Sequence, residues 1–448
     1  MNLRVSKSEN GSVLIIVLWV AIGLVSIALY FGHAMSSELQ ASANTVAATE
    51  ADMAIEGAAR YVSNILANAQ PGYMPDNLHC TNIAVGNAHF WIIGRATNEL
   101  LTTLQEPAWG LVDEASKINI NATNITYNVL TNVPNLTSDM ADAIVDWRST
   151  TSSNASFSAS YSMQSTTTSS YTSKHAPFNT VDELRLVAGM DLATMYGEDA
   201  NLNGFLDPNE DDADSLPPTD NHDGHLDPGL LEYFTVYSRE PNTDTNGQAR
   251  VNIATPASRT QLQTLLQQQS IPQGAISQIA RNATTPTPVT SLLEFFIRNN
   301  GRLSELDFAA IEPSITTSSS NFVYGLININ TASEQVLACI PGIGSNNAPA
   351  VVSYRDANPN RIGSIAWLTE AMQITTQNVR QIGPYITSRS YQFTADIAAV
   401  GAFGRGYRRV KFVFDTSEGL PKIIYRQDLT HLGWALGPQA REEVASTL

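Results

Sequence analysis

The chain has 448 residues, of which 43% are hydrophobic, and its formal net charge at pH 7 is −17. This length predicts two or three domains, and the hydrophobic content is sufficient for real cores and indicates a globular rather than a disordered chain. The 42 acidic residues outnumber the 25 basic ones, so the surface repels nucleic acid and anionic lipid and favours cations. The two cysteines, Cys80 and Cys339, form at most one disulfide, and two free thiols fit the sequence equally well.

The first element is an apolar stretch from Val13 to Phe31 without a charged residue. Nineteen helical residues span about 28 Å, close to the thickness of a bilayer core. Arg4 and Lys7 precede this stretch, and the next basic residue is Arg60. The positive-inside rule therefore places the N-terminus in the cytoplasm and the bulk of the chain across the membrane.

A cleaved secretory signal is the alternative for this stretch, because residues 32–34 form a small-x-small triplet that a signal peptidase recognises. Residues 35–69, however, contain no proline and are rich in Ala, Glu, Met and Leu, so the helix should continue through them. Pro71 and Gly72 end it. The sequence predicts one helix over residues 12–70, with residues 12–31 in the membrane.

A polar leader that ends in glycine, followed at once by an apolar helix with a soluble continuation, resembles the start of type IV prepilins and pseudopilins. The resemblance implies that a dedicated peptidase removes residues 1–11 by cutting between Gly11 and Ser12, and that the new N-terminus is methylated. Most pilin-like proteins carry a glutamate at the fifth mature position, which pairs with the N-terminal amine of the next subunit. Here that position is Ile16. With its apolar segment and without this glutamate, the sequence resembles the minor pseudopilin K family of bacterial type II secretion systems.

The resemblance to that family implies a non-enzymatic assembly protein at the tip of the pseudopilus, which assists export of folded proteins across the outer membrane. It implies minor pseudopilins I and J as partners. It also implies a single-pass inner-membrane location before assembly, with the bulk of the chain in the periplasm, and a pilin-like domain with a helical insertion and calcium sites.

Strand patterns occur at both ends of the soluble part. They are rich in aromatic and β-branched residues and lie at residues 89–99, 109–120, 391–403, 407–415 and 422–429. Neither set makes a stable sheet alone, so we predict one antiparallel sheet divided in sequence by an insertion; separate small domains are the alternative. The predicted fold class is α+β, with a pilin-like domain from residues 71–116 and 389–448 and a mostly helical inserted domain from residues 117–388.

The insertion contains a repeat. Residues 117–148 and 326–355 share an Ile-Asn-Ile-Asn opening, an apolar helix, a proline turn and a second helix. Residues 250–281 resemble a third, degenerate copy whose second helix is displaced. Between the copies, residues 149–173 are rich in Ser and Thr and predict a long surface loop.

The proline turn of the later copy, Pro341-Gly342-Ile343-Gly344, resembles a helix-hairpin-helix, a module that holds a DNA phosphate at a helix N-terminus. Ser345 and two asparagines follow the turn, and the first copy carries Asp139 and Asp142. Because these positions lack basic residues, we expect the hairpins to serve packing and the chain to bind no nucleic acid.

The most specific site pattern is a loop in the register of an EF-hand calcium site. Its ligands at positions 1, 3, 5, 7, 9 and 12 are Asp199, Asn201, Asn203, the carbonyl of Phe205, Asp207 and Glu210. Gly204 at position 6 permits the sharp turn that the loop needs. A solvated acidic turn without a cation is the alternative.

A second acidic segment, residues 219–229, repeats the pattern imperfectly. With Gly224 at position 6, the candidate ligands are Asn221, Asp223 and Asp227. Thr219 and Leu230 are poor ligands for positions 1 and 12, and the candidate replacements are Asp220, Asp214 and Glu232. Two nearby histidines suggest zinc, but oxygen donors outnumber them and favour calcium.

Catalytic motifs are absent from the sequence, which contains no HExxH, GxSxG, GxxxxGK[ST] or paired CxxC pattern, so we predict no enzyme. Two other functions stay open at this point. A membrane-anchored DNA-uptake protein would need basic hairpin turns. A secreted, calcium-stabilised hydrolase would need processing near Ala34 and a catalytic constellation.

Overall fold

The computed structural model describes residues 10–75, 78–96, 107–150, 173–213, 215–269, 271–375 and 377–446. The predicted Ser/Thr-rich loop falls mostly on residues 151–172, outside the described residues. The fold is α+β, as predicted: a long N-terminal helix, an antiparallel sheet, and many short helices between the two sets of sheet strands.

The elements are numbered in chain order. The strands are β1 (Ile83–Val85), β2 (Ala88–Ile93), β3 (Val112–Asp113), β4 (Ile118–Asn119), β5 (Phe234–Thr235), β6 (Arg239–Pro241), β7 (Val251–Asn252), β8 (Ile315–Thr316), β9 (Phe322–Tyr324), β10 (Ile327–Asn328), β11 (Ile386–Thr387), β12 (Gln392–Gly401), β13 (Arg405–Asp415) and β14 (Lys422–Asp428). The α-helices are α1 (Asn10–Asn68), α2 (Tyr127–Leu130), α3 (Ser138–Arg148), α4 (Leu192–Tyr196), α5 (Leu230–Tyr233), α6 (Arg259–Gln267), α7 (Gln273–Asn282), α8 (Leu292–Arg298), α9 (Glu305–Ile311), α10 (Glu334–Ala338), α11 (Gly344–Ala357), α12 (Leu368–Ala371), α13 (Asn378–Ile382) and α14 (Gly437–Ser446).

Helix α1 is unbroken through its apolar and soluble parts. The side chains of residues 13–46 are exposed, and within the described part of the chain α1 is the one helix long and apolar enough to cross a membrane. From Ala47 onward one face is buried against the sheet, with Ala51, Ala54, Ala58 and Val62 at spacings of three and four residues. The alanines let the helix lie close to the strands.

The strands on either side of the insertion form one antiparallel sheet, as predicted. Its order is β1-β2-β12-β13-β14, and β3 also pairs with β12. All ten residues of β12 are buried, because α1 covers one face of the sheet while residues of the C-terminal segment, including Leu436 and Ala440, pack on the other.

Two glycines bring the β12–β13 hairpin against α1. A Cβ on Gly401 would collide with the Ala47 carbonyl, and a Cβ on Gly406 would collide with the backbone of Ala47 and Ala48. Gly406 also has a φ of +69°, which a side chain would disfavour. These positions therefore fix how closely the helix approaches the sheet.

The single strand predicted over residues 109–120 is wrong, because the chain turns in its middle. The Asp113 carboxylate accepts a hydrogen bond from the Ala115 amide at 2.7 Å and starts the 3₁₀ turn Glu114–Ser116. Strand β3 before the turn pairs with β12 in the sheet, whereas β4 after it pairs with β5 in the insertion. The chain passes from sheet to insertion at this turn.

Three parallel strand pairs organise the insertion: β4 with β5, β7 with β8, and β10 with β11. The first strand of each pair begins a repeat and has the sequence Ile-Asn or Val-Asn. The second strand ends that repeat and has the sequence Phe-Thr or Ile-Thr. In all three, the residue after the asparagine donates its amide to the carbonyl of the closing threonine at 2.9 to 3.0 Å. Residues 250–281, the degenerate copy, therefore open a repeat with the same strand pairing as the other two.

The hairpins are packed tightly within the insertion. Arg355, at the end of the second helix of its repeat, is 3% exposed and donates to the carbonyl of Ala332 at 2.7 Å. Arg148 occupies the same place in the first repeat and donates to the carbonyl of Ala122 at 3.1 Å. A Cβ on Gly342 would lie 2.9 Å from Ile382 of α13, so α13 covers the proline turn.

The cysteines are both free in the structure, which decides between the two alternatives left by the sequence. Cys80 is half-buried and Cys339 is buried. Burial raises the pKa of the Cys80 thiol to about 11 and that of Cys339 to about 12. Both thiols are therefore weak nucleophiles at neutral pH.

Candidate calcium loops

The first predicted loop is shaped by its own side chains. Helix α4 ends at Tyr196. Gly197 follows with a φ of +61°, and the loop starts two residues after Gly197. The Asp199 carboxylate accepts the amides of Asn203 at 2.9 Å and Gly204 at 2.8 Å. Leu202 and Gly204 both lie in the left-handed region, at φ +56° and +69°. The backbone thus wraps around the side chain at position 1.

The other predicted ligands lie around the same loop. The Asn203 side-chain oxygen accepts the Phe205 amide at 2.8 Å, and Asp207 accepts both asparagine side-chain amides at 2.6 and 3.0 Å. The Glu210 carboxylate accepts the amides of residues 200 and 207, each at 3.0 Å. The structure therefore brings all six predicted ligand residues into one loop.

The donor set of this loop fits calcium. Asp199 is 2% exposed and Glu210 is 1% exposed, and in the described part of the chain neither forms a salt bridge. Burial raises the pKa of Asp199 to about 6, although nearby Arg95 opposes the rise. Burial and the charge of Asp199 raise the pKa of Glu210 to about 8. Two buried carboxylates among amide and carbonyl oxygens suit a hard divalent cation.

The second loop has the same local geometry as the first. His222 and Gly224, at loop positions 4 and 6, have φ values of +53° and +77°. The Asn221 side-chain oxygen accepts the Asp223 amide at 2.9 Å, and the Asn221 side-chain amide donates to Asp227 at 3.1 Å. The three ligands predicted at positions 3, 5 and 9 therefore lie together.

The ends of the second loop come from residues outside its own window. Glu198 accepts the amides of Asn221 at 3.1 Å and Asp227 at 2.9 Å, much as Glu210 does in the first loop. Asp211 accepts the Gly224 amide at 3.3 Å. The sequence pattern singled out neither acid, because both lie outside the twelve-residue window of the second loop. The one available signal was Glu198, an unassigned acid directly before Asp199.

Two of the three predicted replacements can be placed. Asp220 is 9% exposed, its carboxylate accepts the amides of residues 212, 213 and 222, and it lies within 4.8 Å of Asp211 and His222. Glu232 instead forms an ion pair with Arg95 at 2.9 Å and lies 4.0 Å from Lys117. Asp214 lies outside the described residues.

The second loop supports a prediction about calcium stoichiometry. Glu198→Gln should lower the number of calcium ions bound from two to one, because the amide cannot replace a charged ligand in an exposed loop. Isothermal titration calorimetry on the detergent-extracted full chain measures this number. Glu183→Gln, an acid that pairs with Lys174, is the matched control. Two unchanged sites in Glu198→Gln would remove Glu198 from the ligand set.

The predicted processing and assembly positions lie in α1. Helix α1 is described from Asn10 onward, and Gly11 and Ser12 lie within it. Ile16 is 61% exposed, and its apolar neighbours along the helix are exposed as well.

Comparisons with known proteins match the chain in part. The family model described as "Helix-hairpin-helix motif" matches residues 324–387, the repeat bounded by β10 and β11, and confirms the predicted hairpin in that repeat. No curated protein matches the chain. A solved chain from the GspK-GspI-GspJ complex of the type 2 secretion system of enterotoxigenic Escherichia coli is similar at 9% identity and a TM-score of 0.37, over 90% of this chain and 99% of that chain. A likeness of this strength leaves the family open.

Proposed function

We propose that the chain is a minor pseudopilin at the tip of a type II secretion pseudopilus, with a structural and not a catalytic role. The observation that carries the proposal is helix α1, whose exposed apolar segment follows a polar stretch of sequence ending at Gly11 and whose soluble half packs on the sheet. An export signal that is discarded needs no such continuation. A fibre subunit that keeps its membrane segment does.

The tip position is supported by Ile16. In the pilin-like proteins that this chain resembles, the glutamate at this position pairs with the N-terminal amine of the subunit above it. A charged side chain without such a partner is energetically costly in an apolar helix. Ile16 carries no charge, which suits a subunit with no neighbour above it. Minor pseudopilins I and J are the proposed partners, and calcium in the two loops is the proposed structural cofactor.

Co-assembly tests the proposed partners. The full chain, co-expressed with the two sister minor pseudopilins and extracted in detergent, should elute as one complex with the mass of all three chains. Elution of the full chain alone would contradict the proposed position in the fibre. Binding to duplex DNA that weakens with salt would instead support a DNA-uptake role.

We predict that Ile16→Glu leaves membrane insertion intact but reduces tip placement. The new carboxylate can pair with an amine that a tip subunit never meets, so the variant should enter lower positions in the fibre and lower the yield of the three-chain complex. Ile15→Leu, an exposed apolar neighbour, is the control. Equal complex yield for wild type and Ile16→Glu would contradict the assembly role of this position.

A further inference from the structure

Two arginines of the sheet hold the backbone of the first calcium loop. Arg95 follows β2 by two residues, and Arg409 lies on β13. Both donate to the carbonyl of Leu202, Arg95 at 2.9 Å and Arg409 at 2.7 Å. Arg409 also donates to the carbonyl of Asn201, and Arg95 lies 3.5 Å from that of Asn203. The loop of the insertion thus contacts two cations, one just after β2 and one on β13.

Both arginines are themselves fixed. Arg409 is fully buried and pairs with Asp396 of β12 at 2.5 Å, and Arg95 pairs with Glu232 at 2.9 Å. A Cβ on Gly204 would lie 2.6 Å from the Arg95 side chain, so this glycine serves the contact with Arg95 as well as the turn. The contact is therefore a closely fitted junction.

The contacted carbonyls belong to the segment that the predicted ligands flank. Leu202 has a φ of +56°, which a residue with a branched side chain adopts only when its surroundings stabilise it. Asn201 and Asn203, at loop positions 3 and 5, lie on either side of it. A cation bound to these two side chains would stabilise the backbone conformation that the arginines contact.

We infer that the first calcium loop is the joint that fixes the inserted domain to the sheet, and that Arg95 and Arg409 are positioning residues for the calcium ligands. The inference rests on the calcium part of the proposed function. Coupling between two binding events is reciprocal. Calcium therefore tightens the contact between insertion and sheet, and that contact in turn raises the affinity for calcium.

The direction in which calcium affinity changes when Arg95 is removed distinguishes a positioning role from a purely electrostatic one. Arg95 donates to the Leu202 carbonyl at 2.9 Å, between loop positions 3 and 5, so its positive charge also repels a cation bound in the loop. If charge alone mattered, removing Arg95 would tighten calcium binding. If Arg95 positions the loop, removing it weakens calcium binding despite the relief of repulsion.

The test compares Arg95→Gln with the wild type as full chains in detergent. Calorimetric titration with calcium chloride gives the dissociation constant of the first loop, identified as the binding that Asp199→Ala removes. Arg95→Gln should weaken this site about fivefold or more. Arg408→Gln is the matched control, since Arg408 lies next to Arg409 on β13 but pairs with Asp52 of α1 at 3.0 Å, and it should leave the constant unchanged.

Hydrogen exchange provides a second readout that does not depend on one variant folding well. In the wild type, calcium should slow amide exchange in peptides from β12 and β13 as well as in the loop. Protection confined to the loop, or equal or tighter calcium binding in Arg95→Gln, would overturn the inference alone. A wild-type chain that binds no calcium would overturn the calcium proposal together with it.

Discussion

Calcium should raise the melting temperature of the full chain by several degrees, and Asp199→Ala should abolish most of that rise. Loops of this ligand count in extracellular proteins bind with dissociation constants of about 0.1 to 1 mM. At a calcium concentration about 100-fold above the dissociation constant, binding stabilises the folded state by about 2.7 kcal/mol. Asp199 provides position 1 of the loop and is 2% exposed, so its loss removes a ligand that solvent cannot replace.

Thermal melts with calcium and with a chelator measure this effect. Asp139→Ala, a change in an exposed acid of α3, is the control and should keep the full calcium response. A wild-type melting temperature that is the same with calcium and with chelator would remove the first loop from the set of calcium sites.

The calcium effect should grow between pH 5 and pH 8. Burial raises the pKa of Asp199 to about 6 and that of Glu210 to about 8, both above their values in the unfolded chain. Without calcium, these groups favour folding at low pH, and that contribution is lost as pH rises through the folded pKa values. Calcium binds the deprotonated forms, so it should restore more stability at pH 8 than at pH 5. An equal shift at both pH values would contradict these assignments.

Arg409→Met should lower the free energy of unfolding by about 3 to 5 kcal/mol, because it leaves a buried carboxylate without its partner. Asp396 is 2% exposed. Burial by itself would raise the pKa of Asp396, but Arg409 outweighs burial and holds that pKa below its usual value. Chemical denaturation of the full chain measures the loss.

A double variant separates the lost ion pair from general damage to the sheet. Asp396→Leu combined with Arg409→Met removes both charges and should recover much of the stability, since apolar replacements of buried pairs are often neutral. Arg408→Met, on the same strand with a half-exposed side chain, should cost less than about 1 kcal/mol. A single variant as stable as the wild type would contradict the role of the buried pair.

The parts of the fold that the sequence predicts are those set by local patterns. Helix α1 follows from composition and the absence of proline, and the last three strands follow from alternation between glycine turns. The single strand predicted over residues 109–120 is two strands, β3 and β4, because the Asp113 side chain caps a turn between them. Residue propensities do not predict this effect. The repeat at residues 250–281 is degenerate in its helices, yet its strand pairing matches that of the other copies.

The candidate calcium site likewise has one part that local sequence patterns predict and one part that they do not. The first loop is contiguous, so the spacing of its candidate ligands can be recognised within twelve consecutive residues. The second loop is contacted by Glu198, which lies 29 residues before Asp227 in the sequence. In the first loop, Leu202 contacts Arg95 and Arg409, which are 107 and 207 positions away. No local spacing rule reaches such pairs, because the folded sheet and insertion create them.

The intact mass of the protein extracted from membranes is a direct test of the proposal that the chain is a processed pseudopilin. We expect a mature chain that begins at Ser12, keeps the apolar helix and carries an N-methyl group. Gly11→Val should block processing, because the peptidase must fit a residue without a side chain, whereas Gly32→Ala should change nothing. A mature N-terminus at Met35, with the apolar segment lost, would contradict the account and indicate an ordinary exported protein.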